Sequence, residues 1–90
     1  MAEPLSIDTQ GTPNPNAAKF TLNRVVASQG TTYRPPADAA TPAWVQAVLA
    51  IPGVTQVFAL NNFVSVNKTS DADWKAVGPQ VEQALRKAFA

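Results

Sequence analysis

Ninety residues, 1–90, fit a single domain of ordinary size, with material for one core and not for a second. The seven Lys and Arg side chains outnumber Asp and Glu by one and are scattered, only Arg86 and Lys87 being adjacent. The clustered cations that follow a phosphate backbone are missing, which excludes nucleic acid as a partner. The chain has no Cys and no His, so disulfides, thiolate nucleophiles, imidazole bases, the usual zinc sites and cysteine-held iron–sulfur clusters are excluded together.

From the N-terminus, Leu5 to Gln10 alternates apolar and polar residues, with Leu5, Ile7 and Thr9 on one face, and reads as a half-buried strand. Gly11 to Asn16 breaks that pattern. Pro13 and Pro15 fix φ and remove amide donors, while Gly11, Asn14 and Asn16 tolerate turn conformations. Alternation resumes from Ala17 to Leu22, with Ala18, Phe20 and Leu22 on one face, so the two strands make a hairpin with a stiff connection. In Asn23 to Ala40, Val25 and Val26 and then Thr31 to Tyr33 could each be short extended pieces around a turn at Gln29 and Gly30; the region as a whole is read as irregular, ending in an Ala-rich approach to a helix after Pro35 and Pro36.

Thr41 as N-cap and Pro42 at the first helical position start a helix whose stripe is Val45, Val48 and Leu49, with Trp44 at its edge. Ile51, Pro52 and Gly53 stop it. Val54 to Leu60 and Phe63 to Asn67 are two β-rich runs separated by Asn61 and Asn62, a pair suited to a tight primed turn. Thr69, Ser70 and Asp71 are then candidate caps, with Asp73 adding charge near the helix start if Ser70 is the cap, of a C-terminal helix with Trp74, Val77, Val81, Leu85 and Ala88 on one stripe. Gly78 and Pro79 conflict locally with that helix and predict a kink or a delayed start. The economical architecture is an α+β fold in the order β-β-α-β-β-α: a four-stranded, mainly antiparallel sheet with two helices on one face.

The carboxylates offer no opposed acid/base pair. Asp71 and Asp73, two residues apart, do not face each other in a helical turn and suit capping. No glycine-rich phosphate loop is present and no serine has a histidine base, so no catalytic residue, metal ligand or cofactor is assigned and the chain is read as not an enzyme. No apolar run reaches the ~20 residues that span a bilayer, and the first residues lack a secretory pattern; the expectation is a cytoplasmic protein with no membrane partner. Two readings of Thr12 to Asn16 stand together: a rigid connection bonded to its own backbone, and a pre-ordered polar surface presenting Asn14 and Asn16 to a partner. Trp74 reads as core. Trp44, at the stripe's edge, reads as core or as an interface anchor.

Several segments then fall in a recognisable order: Thr12 to Ala17 followed by Lys19 and Phe20, Ile51 to Val54 with Val57 and Phe58, Asn62 to Lys68, and Asp73 and Trp74 before the last helix. Together they resemble the N-terminal domain of Nfu/NifU-type iron–sulfur scaffold proteins, from about Ile7 onward. The resemblance implies an antiparallel sheet with two helices. In full scaffolds a Cys-x-x-Cys motif in a separate C-terminal domain holds the cluster, and nothing in these residues corresponds to it. The resemblance therefore implies an accessory role in contact with an iron–sulfur scaffold or client protein, in an oligomeric state it does not specify. Thr12, Asn14, Asn16, Lys19 and Trp44 are the candidate partner-binding residues. The alternative is a small-molecule- or peptide-binding module unrelated to iron–sulfur clusters.

Overall fold

The computed structural model describes residues 4–36 and 39–89. The first three residues, Ala37 and Asp38 at the start of the Ala-rich approach, and Ala90, the last residue of the expected C-terminal helix, lie outside them. Among the described residues the elements are β1 (Ile7–Gly11), β2 (Ala17–Leu22), β3 (Ala27–Tyr33), α1 (Ala43–Leu49), β4 (Val54–Asn61), β5 (Phe63–Lys68) and α2 (Trp74–Phe89).

β2 and β5 form the middle of the sheet, and their strict alternation is the reason. Ala18, Phe20 and Leu22 of β2 and Val64 and Val66 of β5 are buried toward the helices, while the residues between them face the other side half-covered. Val57 and Ala59 of β4 extend the same inner face. α1 covers it with Val45, Val48 and Leu49, and α2 with Val77, Val81 and Leu85. All but Ala59 join one hydrophobic cluster. At ~25 cal/mol per Å² of apolar surface removed from water, burial of these side chains is the main term holding the layers together.

The α+β class, the antiparallel pairing and the two helices on one face agree with the sequence reading. The strand number is corrected to five, in the order β1-β2-β5-β4-β3. The extra strand is β3, within the stretch read as irregular. Ala27 to Tyr33 has no period-two pattern of its own; it becomes a strand by pairing antiparallel with the outer edge of β4. The chain reaches it by passing the tip of the β4–β5 hairpin, where Leu22 donates its amide to Asn62 O at 2.7 Å and Val26 donates to Asn61 O at 2.6 Å. Asn61 takes φ 53°, as expected of a primed turn, and Leu60 opposes Phe63 across it.

Both helix starts shift. α1 begins at Ala43, with Pro42 instead of Thr41 in the cap position and no side-chain cap bond there. α2 is capped by Asp73 instead of Thr69, Ser70 or Asp71: Asp73 Oδ1 accepts the Lys75 amide at 2.9 Å and its carbonyl accepts those of Ala76 and Val77. The Thr69–Ala72 turn consumes the residues before it, Ala72 donating its amide to Thr69 O. The start is thus delayed, and the helix runs through Pro79. Gly78 eases that passage, since it has no Cβ to meet the proline ring. Gly53 follows α1 at φ 96°, and a Cβ there would come within 2.7 Å of Ala72 Cβ, so the turn that aims β4 under α2 requires glycine.

Candidate functional site

The Gly11–Asn16 connection bonds to itself first. Thr12 Oγ1 lies 2.9 Å from Asn14 O and 3.0 Å from Ala17 O, so its single proton serves one of them at a time, and it accepts the Asn14 amide at 3.2 Å. Asn14 Oδ1 accepts the Asn16 amide at 2.9 Å, and Ala17 donates its amide to Asn14 O. These are the local bonds that Thr and Asn form in turns, here with two prolines restricting the rest of the backbone.

The loop is then held from below. Trp74, the first residue of α2, donates its indole Nε1–H to Pro15 O at 2.9 Å while its ring packs 6.5 Å from that of Phe20. Lys68, last residue of β5, alternates inward and is buried. Its Nζ donates to Asn16 Oδ1 at 3.0 Å and to Thr69 O at 3.2 Å and lies 5.6 Å from the Trp74 ring centroid. Hydrogen bonds to a charged donor contribute ~1.5–3 kcal/mol each, more than neutral ones, so this ammonium is a strong tie between loop and core.

Beside the loop a cleft of about 390 Å³ opens between the end of β1 and α2, lined largely by carbon and including Thr9, Gly11, Pro15, Ala18, Trp74 and Gly78. Two glycines create it. A Cβ built on either Gly11 or Gly78 would meet nothing within 4 Å. On its strand side Thr9 Oγ1 donates to Glu82 Oε1 at 3.5 Å. On the opposite sheet face Gln10 donates to Asp8 Oδ2 at 3.1 Å.

The five sequence-derived candidates occupy three places. Thr12, Asn14 and Asn16 are in the loop, Asn16 turned inward onto Lys68. Lys19 lies on the helix-free sheet face, its Nζ 4.6 Å over the Phe63 ring, which pairs with Phe58 at 6.0 Å. Trp44 is half-buried on α1, its ring 5.4 Å from that of Phe89 in an edge-on contact. The sequence reading placed Trp74 in the core and gave no site role to it, to Lys68 or to the gap at Gly11 and Gly78. A signal for the gap existed: Gly78 follows Trp74 by four residues and so shares its face of the helix.

Titration adds one feature. A hydrogen bond from the Thr69 side chain, with a smaller share from the Asp71 amide and the Lys68 charge, holds the Asp71 carboxyl below its ordinary range, burial acting weakly the other way. Among the described residues no three of His, Cys, Asp and Glu come together as metal ligands would. No helix among them is long and apolar enough to cross a membrane.

The chain matches the family described as "Scaffold protein Nfu/NifU N terminal" over residues 7–90. It is similar to the mitochondrial NFU1 iron-sulfur cluster scaffold homolog of Drosophila persimilis, 34% identical over 86 residues, which cover 93% of this chain and 30% of that protein. The crystal structure of the Staphylococcus aureus protein SAV1430 superposes with a TM-score of 0.79 at 34% identity, covering 88% of this chain and 96% of that one. The solution structure of the NifU-like protein from Saccharomyces cerevisiae has a TM-score of 0.81 at 23% identity, covering 96% and 81%, and shares the fold. The chain spans less than a third of the length of the first curated relatives it matches.

Proposed function

The chain belongs to the Nfu/NifU N-terminal family, and from that premise we propose that it is a non-catalytic interaction module of iron–sulfur cluster assembly. In this reading it contacts a cluster scaffold or a cluster-requiring client, in the cytoplasm, while another polypeptide or domain holds the cluster. One observation carries it: a family match along residues 7–90 falls on a sequence without a single thiol or imidazole. The donor set does not fit a cluster, because carboxylates are hard ligands and iron–sulfur centres are held by soft thiolates. What these residues offer is a loop already immobilised by its own bonds and by Trp74 and Lys68. A surface ordered before contact loses little further conformational entropy on binding.

The test is affinity capture from the native cell with the tagged chain as bait, paired with anaerobic iron and sulfide reconstitution of the purified chain. The reading predicts enrichment of a cluster scaffold or of cluster-requiring enzymes, and no stoichiometric cluster absorbance. A cluster retained at one per chain or per dimer, or capture that returns no protein of that pathway, contradicts it.

A further inference from the structure

Which backbone groups of β1 are free follows from two hydrogen bonds. Asn23 donates its amide to Ser6 O, so that pair is a hydrogen-bonded one in the β1–β2 ladder. Leu22 donates away from β1, to Asn62 O. In an antiparallel ladder bonded and non-bonded pairs alternate. The register Ile7 to Leu22, Thr9 to Phe20 and Gly11 to Ala18 therefore consists of non-bonded pairs, whose amides and carbonyls point out of the sheet. β1 is an edge strand with no partner on its outer side among the described residues. Its five consecutive pairs are in register, without a bulge to twist the edge away.

The same alternation sends the side chains of Ile7, Thr9 and Gly11 to the helix face. There Gly11 opens into the carbon-lined cleft walled by Trp74 and Gly78. A row of unused extended backbone groups thus runs alongside a carbon-lined cleft with room for an aliphatic side chain. That combination fits a strand added at the edge, which obtains affinity from main-chain bonds and selectivity from a side-chain pocket.

We propose that the outer edge of β1 binds an extended segment of a partner polypeptide, which pairs with Ile7, Thr9 and Gly11 and seats one aliphatic side chain between Gly11 and Gly78. The proposal rests on the reading of the chain as a protein-interaction module and names where and how the partner is held. Charge selects the occupant further. Glu82 stands beside Thr9 on the helix side and Asp8 faces the other side of the strand, while Arg86 is turned to Leu5 O before the strand begins. A basic residue flanking the anchor near Thr9 is therefore complementary. A second copy pairing β1 to β1 about Thr9 would instead oppose the two Glu82 carboxylates, which disfavours self-association.

The test selects a phage-displayed library of random dodecapeptides on the immobilised chain, then titrates the synthetic consensus peptide into isotopically labelled protein. Expected are alternating sequences with an aliphatic anchor and a basic neighbour, and amide shifts centred on Ile7, Thr9, Gly11, Trp74 and Gly78. N-methylating the peptide amides that face β1 removes two or more main-chain bonds and weakens binding roughly tenfold or more. Gly11→Leu fills the slot and weakens binding by at least a similar factor, with no drop in melting temperature. Thr9→Pro is the second variant, because it removes an outward donor without touching the β1–β2 ladder; it too weakens binding. The proposal is overturned by the absence of any enriched sequence, by shifts mapping to another surface, by unchanged affinity after N-methylation or in both variants, or by a free chain that is already a dimer through β1. These outcomes are separate from those of the pathway reading: peptide binding at β1 without a cluster-assembly partner removes the pathway and keeps the site, whereas a captured scaffold indifferent to both variants keeps the pathway and removes the site.

Discussion

The two edges of the sheet are finished in opposite ways. At β3 the register slips between Ala27 and Thr31, and Gly30 lies against the chain's own Phe58, where an added Cβ would meet the ring at 3.2 Å. At β1 the register is unbroken and the glycine, Gly11, faces open space. A slipped edge strand covered by an aromatic ring presents few aligned backbone groups to another chain. A regular strand next to an unfilled cleft presents several. Both edges border a cavity, so the difference between them lies in the register, unbroken at β1 and slipped at β3, and in the lining, largely carbon at β1.

The largest expected effect tests what holds the β1 side in shape. Trp74→Ala removes a half-buried indole, its bond to Pro15 and the wall of the cleft, and is expected to cost ~2–4 kcal/mol. Against a total of ~5–15 kcal/mol, the loss is measurable by denaturant unfolding. Asn16→Ala comes next, at ~1–3 kcal/mol, because it takes an acceptor from the buried Lys68 ammonium. An unchanged unfolding midpoint for Asn16→Ala would mean that the loop is not anchored through that side chain.

The glycine pair then compares the edges directly. Gly30→Leu must push the Phe58 ring aside and is expected to cost ~1–2 kcal/mol. Gly11→Leu meets nothing and is expected to stay within ~0.5 kcal/mol of the parent. Equal costs at the two positions would erase the distinction between the edges. The smallest effect is electrostatic and belongs to neither edge. Asp71 is exposed and its folded-state carboxyl titrates below the ordinary range. A depressed folded value means that its contribution is complete above the unfolded aspartate value and is lost as pH falls through the folded one. Side-chain carbonyl chemical shifts should place that midpoint below the ordinary aspartate value, and Thr69→Ala should raise it.

The parts of this architecture legible in the sequence are those with local causes. The alternation in Ala17 to Leu22, the β-rich run Phe63 to Asn67, the two asparagines between β4 and β5, and the stripe through Val77, Val81 and Leu85 each have such a cause. β3 was legible only at Thr31 to Tyr33, as a candidate short extended piece; Ala27 to Gly30 carries small and polar residues and is made a strand by the edge of β4. At the candidate site the stiff Thr12–Asn16 turn was readable from its prolines and asparagines. Its anchors were not: Trp74 reaches Pro15 across 59 residues of chain, and Lys68 lies one residue beyond the run read from the sequence, where the observed strand continues and turns it inward. Nor does local sequence reveal that Gly11 and Gly78 line one cleft, because that depends on how α2 lies over the β1–β2 hairpin.

Amide hydrogen exchange along β1 tests the central claim most directly. In the free chain Asp8 and Gln10, bonded into the β1–β2 ladder, should exchange more slowly than their neighbours Ile7, Thr9 and Gly11. With the selected peptide at saturation, the amides of Ile7, Thr9 and Gly11 should become protected to the level of Asp8 and Gln10, while those of β3 stay as they were. Protection that leaves Ile7, Thr9 and Gly11 unchanged, or that appears along β3 instead, would contradict the assignment of β1 as the docking edge.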